Sequence, residues 1–236
     1  MSINSPQPPA RRWPWLLGGM IVVAALIVAI LLVRTSTAEQ TAPAAPSSST
    51  PAGPSPAESL SLTPDPVADA APTGCLGGPG RDAEMVLTTV EKAPHTSNGA
   101  VEFAASITRW LYQRPVPTAG DVERVQEGAV SSSAADSDIA AYYASNPEMV
   151  AGLGTTQPFY LSTAPGVYLL ESFTPTSATV TIGTGIVLDG ALAASRQQSA
   201  TISAEWTTDG WRLTDIRGTR DVGSLFTAGT PFTGGC

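Results

Sequence analysis

Histidine occurs once in this 236-residue chain and cysteine only twice, and positive charge is scarce, with 12 Lys and Arg against 20 Asp and Glu for a formal net charge of −8. One histidine, His95, in a Pro/Ser/Asn-rich stretch with no second His or Cys nearby, excludes a histidine-built metal site and a His-based catalytic triad. It reads as a solvent-exposed loop residue. So few cations cannot neutralise a phosphate backbone, which excludes nucleic acid as a direct ligand. Charged residues make up just 14% of the chain, whereas Gly and Pro number 22 and 21. That bias is concentrated in particular segments, so the chain is a mosaic. Its length leaves room for one domain of ordinary size beside other segments, not two.

The longest uncharged run, residues 15–33 (WLLGGMIVVAALIVAILLV), is 19 residues. At about 1.5 Å per residue it suffices for a hydrocarbon core of roughly 30 Å. Trp13 and Trp15 stand where interfacial aromatics would, Arg11 and Arg12 precede the run and Arg34 closes it. The basic excess on the N-terminal side predicts residues 1–12 as a cytoplasmic tail, 13–34 as a transmembrane helix, and everything beyond as extracytoplasmic. A cleaved secretory signal is the competing reading, with Ser36-Thr37-Ala38 as small residues for a peptidase. The run is longer than an ordinary signal core and ends on a charge, and both readings place the rest of the chain outside the cytoplasm. Residues 35–74 are almost wholly Ala, Pro, Ser and Thr. Such a stretch cannot bury a core, and its prolines forbid regular helix or sheet, so it reads as a disordered stalk reaching on the order of 100 Å when extended.

The two cysteines, Cys75 and Cys236, bracket the remaining segment, 75–236, which reads as the extracytoplasmic domain. In an oxidising compartment they would pair and join the domain's ends, the alternatives being free thiols or an intermolecular bridge. Ser97 or Asn98 can cap a helix in which Phe103, Ile107, Trp110 and Leu111 recur on one face, ending before Pro115. A second helix is expected from Asp121, with Val122 and Val125 inward, and a third over 133–145, with Ile139, Tyr142 and Tyr143 clustered. Beyond 157 the period changes to two and the residues to Val, Ile, Thr and aromatics, predicting strands at 158–162, 167–173, 178–188 and 199–208. Asp209-Gly210 predicts a two-residue hairpin turn, with Thr208 opposite Trp211 and Trp206 opposite Leu213 on one face. The domain is therefore expected to be α+β, helices followed by a bent antiparallel sheet.

This order of elements over 97–218, ending in the Trp206 to Leu213 hairpin, resembles the nuclear-transport-factor-like (SnoaL-like, cystatin-like) fold, a cone in which a bent sheet wraps an N-terminal helix. Anchor, stalk and such a domain together resemble the bitopic components of type IV secretion and conjugation machines, including those of actinobacterial mobile elements. The resemblance implies a scaffold or assembly role and carries no catalytic residue across.

The chemistry-bearing side chains are Glu102, Tyr112, Tyr142, Tyr143, Glu171 and Glu205, with no spacing that singles out an acid–base pair, so surface or rim carboxylates are expected. Gly183-Thr184-Gly185 lacks the third glycine and following helix of a dinucleotide fingerprint and reads as a bulge or bend. No catalytic, cofactor-binding or metal-binding residue is expected. Trp110, Tyr142, Tyr143, Trp206 and Trp211 either line a pocket or fill the core. Three classes of function stay open: a non-enzymatic envelope scaffold, a membrane-tethered ligand-binding or sensing module, and a cleft enzyme. The expected partners are the lipid bilayer and other membrane or envelope proteins.

Overall fold

A computed structural model describes residues 69–134, 138–218 and 220–236. The transmembrane span and most of the stalk expected from the sequence lie outside these residues. No helix among the described residues is long and apolar enough to cross a membrane.

The domain is α+β. Helices α1 (Ala83–Lys92), α2 (Ser97–Leu111), α3 (Ala119–Ala129) and α4 (Ile139–Ser145) precede all but the first, two-residue strand of a curled antiparallel sheet. The sheet comprises β1 (Gln113–Arg114), β2 (Phe159–Thr174), β3 (Ser177–Leu188), β4 (Ala191–Thr207) and β5 (Gly210–Arg217) in that order. A last helix, α5 (Val222–Ala228), leads to β6 (Thr230–Pro231), which pairs with β2.

Helix α2 was expected to bury one face; it is instead buried on every side from Gly99 to Leu111. The curled sheet takes Phe103, Ile107 and Trp110, each at most 1% exposed. Burying side chains of this size is worth about 1.5–3 kcal/mol each. The opposite face carries Glu102 and Arg109, and residues 73–80 cross it as a strap. The Glu102 carboxylate accepts hydrogen bonds from the backbone N–H groups of Thr73 (2.5 Å), Gly74 (3.2 Å) and Leu76 (3.3 Å) and from the Thr73 hydroxyl (2.8 Å). Seven residues further along the helix, Arg109 Nη2 donates to the carbonyls of Gly78 (3.1 Å) and Gly80 (3.0 Å). Glu102 is thus no rim carboxylate, because the strap's orphan N–H groups converge on it. Glu102→Ala, which strands three of those N–H groups, is expected to cost about 2 kcal/mol in denaturant titrations.

The chain just ahead of the strap is anchored as well. Thr233 N–H donates to the Pro72 carbonyl (3.0 Å) and the Asn98 side chain to that of Asp69 (3.1 Å). Residues 69–74, expected as the last of a stalk, are therefore tied to the domain by hydrogen bonds. Cys75 and Cys236 are joined as a disulfide with Cα atoms 5.5 Å apart.

The remaining differences from expectation have local causes. The cap of α2 is Thr96, whose hydroxyl accepts from Gly99 N–H (3.1 Å), not Ser97 or Asn98. A side chain at 99 would put its Cβ 1.9 Å from the Pro94 carbonyl oxygen, so only glycine admits this first turn. Thr118 starts α3 ahead of Asp121, and Asp138 starts α4, leaving Ser133 outside the helix. The expected strands 158–162 and 167–173 are one strand, β2, because a bulge between Ser162 and Gly166 lets the ladder with β3 resume across Gly183-Thr184-Gly185. Strand β4 begins at Ala191, eight residues before the expected start, after a turn at Asp189-Gly190 with φ of 50° and 78°.

The last hairpin turns at Thr208-Asp209, one residue earlier than expected. Thr207 pairs with Gly210, and Trp206 faces Trp211 rather than Leu213, which lies opposite Ala204. Each partner shifts by two positions, which preserves the side chains' face. Gly210 has φ of +110°, and a Cβ there would lie 2.5 Å from the Val90 carbonyl oxygen. Close approach of α1 therefore fixes where this strand begins.

Candidate functional site

The five aromatic residues singled out from the sequence separate into two clusters at opposite ends of α2, about 20 Å apart by the helix rise. At the N-terminal end, Trp211 is fully buried and its Nε1 donates to the Pro94 carbonyl (3.0 Å). Trp206 lies half-buried beside it, ring centres 5.3 Å apart. His95 is exposed, as expected, but not free: it stacks on Trp206 with centroids 4.1 Å apart and planes 4° from parallel, and its Nε2 pairs with the Pro175 carbonyl. Stacking and hydrogen bond together tie the α1–α2 loop to two hairpin turns. This end is a packed seam.

At the C-terminal end, Trp110 is fully buried, its Nε1 lacks a partner, and its ring meets Tyr143 edge-on at 6.5 Å. The Tyr143 hydroxyl donates to the Leu111 carbonyl (3.1 Å), and Tyr112, the residue after α2, shares a 2.7 Å hydroxyl–hydroxyl hydrogen bond with Tyr142. The Tyr112–Tyr142 pair lines an open cleft of about 430 Å³ between α4, the middle of β4 and the end of β5. Asn146, Gln198 and Arg217 supply its polar wall, Met149 and Ile216 its apolar one. Arg217 holds Asp215 at 2.5 Å on the exposed rim. Among the lining groups are neutral donors and acceptors and one guanidinium, a set suited to holding a small polar molecule.

Burial pushes the phenols of Tyr112 and Tyr143 well above the ordinary phenol range, and for Tyr112 the charge and hydrogen bond of Tyr142 add to it. Tyr142 is raised too, by burial, against the opposing pull of its bond to Tyr112. These phenols hold their protons as hydrogen-bonding groups and do not act as bases at neutral pH. Above about pH 10 the unfolded chain loses phenolic protons that the folded domain retains. Their contribution to stability is therefore complete below that pH and is lost as the pH rises further. Unfolding free energy measured by urea titration at stepped alkaline pH is expected to fall steeply above that point, and less steeply in Tyr112→Phe.

The carboxylates considered from the sequence are spread apart and engaged. Glu171 accepts from Thr181 (2.9 Å) and pairs with Arg220 (3.0 Å), and Glu205 accepts from the hydroxyls of Ser131 and Ser133. Among the described residues no three His, Cys, Asp or Glu side chains come together as metal ligands. The cleft was missed in the sequence because Gln198 and Arg217 lie in strands far from Tyr112 and Tyr142 in the chain. Of its lining, only Tyr112 and Tyr142 stand among the chemistry-bearing residues the sequence offers.

No protein-family model matches this chain, and no curated protein or solved structure is similar to it at a significant level.

Proposed function

We propose that this chain is a membrane-anchored, extracytoplasmic, non-enzymatic scaffold or assembly component of an envelope transport or conjugation complex. The observation that carries this reading is the use to which the domain puts its chemistry-bearing side chains. Glu102 and Arg109 hold the strap, Glu171 and Glu205 join neighbouring elements, and Trp110 and Trp211 fill the space the sheet encloses. Such a domain presents a fixed surface, and the apolar run at 15–33 would hold that surface at the membrane. The test is crosslinking in intact cells followed by purification through an N-terminal tag. Recovery of a secretion or conjugation ATPase together with channel subunits supports the proposal. A chain recovered without membrane partners overturns it.

A second reading, a tethered binding module for a small polar ligand, draws on the cleft above Tyr112 and Tyr142. A ligand seated there would quench or shift the fluorescence of Trp110 through Tyr143, and Gln198→Ala would weaken its binding.

A further inference from the structure

Two guanidinium groups lie close together in this acidic chain, and neither forms an ion pair among the described residues. Arg109 is 0% exposed. Its Nη2 is satisfied by the strap carbonyls of Gly78 and Gly80, but Nε and Nη1 are buried without partners. Arg81 follows Gly80 directly, and its own carbonyl is fixed by Gln113 Nε2 (2.8 Å). The Arg81 guanidinium carbon lies 3.8 Å above the centre of the Tyr160 ring, and its Nε is likewise buried without a partner. Five ion pairs form among the described residues, and none includes Arg81 or Arg109. The nearest candidate, Glu102, spends its oxygens on Thr73, Gly74 and Leu76.

A buried charge that is only partly compensated, as at Arg109, is among the costlier features a fold can hold, and a neighbouring charge of the same sign adds repulsion. The Arg109 pKa is drawn down to about 10, first by burial and then by the positive charge of Arg81, against the opposing pull of the Glu102 carboxylate. Even so, both groups remain cationic at neutral pH. An acceptor that also carries negative charge relieves all three costs: the desolvated charges, their mutual repulsion and the orphan N–H groups. A water molecule relieves only the last.

We infer that Arg109 Nε and Nη1, with Arg81 Nε, hold a small monovalent inorganic anion of the chloride class beneath the strap. The complete burial of Arg109 favours an ion of that size over a phosphate or an organic acid. Its place links the strap to α2 and to the first residues of β2, so occupancy and closure of the strap are coupled.

Thermal unfolding of the purified full chain in chloride, against gluconate at equal ionic strength, tests this. The expected result is a Tm that rises with chloride and levels off, with a midpoint about tenfold higher in Arg81→Gln, the loss expected for one charge-assisted hydrogen bond. Arg81 is only half-buried, so that variant keeps the fold. Crystals grown in bromide should show an anomalous peak against Arg109 Nε. Ordered water with no anomalous signal there overturns the inference. So does an identical chloride response in Arg81→Gln. A bromide peak without any chloride dependence of Tm marks an adventitious ion only, and overturns it equally.

Discussion

Replacing both Cys75 and Cys236 by alanine is expected to lower the unfolding free energy by about 4 kcal/mol, or on the order of 10 °C in Tm. The bridge spans 161 residues, so opening it returns a long loop's worth of freedom to the unfolded chain. The folded state should change little. Cys236 N–H donates to the Thr163 hydroxyl and its carbonyl accepts from Thr163 N–H, both at 3.0 Å, while Glu102 continues to hold Thr73 and Gly74. Urea titration checks this: the midpoint should fall while circular dichroism before the transition stays unchanged. A loss below 1 kcal/mol would mean that the unfolded chain already keeps its ends together.

Trp211→Ala carries the second large effect, about 4 kcal/mol. The ring is fully buried where α1, the α1–α2 loop and the last hairpin meet, and its loss leaves a cavity and removes one of the two hydrogen bonds on the Pro94 carbonyl, the other coming from Thr96 N–H (2.8 Å). The neighbouring Trp206→Ala is the control. It removes an equal ring from a half-buried position and the stack on His95, and is expected to cost about 1–2 kcal/mol. Equal costs measured by denaturant titration would refute the assignment of Trp211 as the keystone of this seam.

Some of this architecture was legible in the residues. The period-two run from Ala200 to Trp206 and the turn chemistry beside it announced the last hairpin, although its exact turn was set by something local rules cannot contain, the carbonyl of Val90 against Gly210. Helix α1 could have been found from Asp82 as its cap and Met85, Val86 and Val90 as its buried stripe. Helix α5, with Leu225 its one buried side chain, has no periodicity to read. Asp189-Gly190 carried the same turn signal as the later hairpin and was hidden by the exposed, polar run that follows it in β4. The polar face of α2 misled for a physical reason. Glu102 and Arg109 mark a wet face in most amphipathic helices, and here they answer a strap whose own sequence, rich in Gly and Pro, shows no element at all. The cleft is less legible still, since only the packing of the helices on the sheet brings Gln198 and Arg217 to the tyrosines.

The closure of the two ends onto one bridge also decides how the domain answers traction. A pull arriving from the N-terminal side divides at Cys75 between two covalent paths, one onward into α1 and one across the sulfurs to Cys236 and β6. Without the bridge, the strap's hydrogen bonds to Glu102 and Arg109 would fail one after another, as a zipper does. With it, the strap beyond Cys75, held at Leu76 by Glu102 and at Gly78 by Arg109, and β6's ladder on β2 must yield together. The bridge makes the two ends of the domain resist such a pull as one unit.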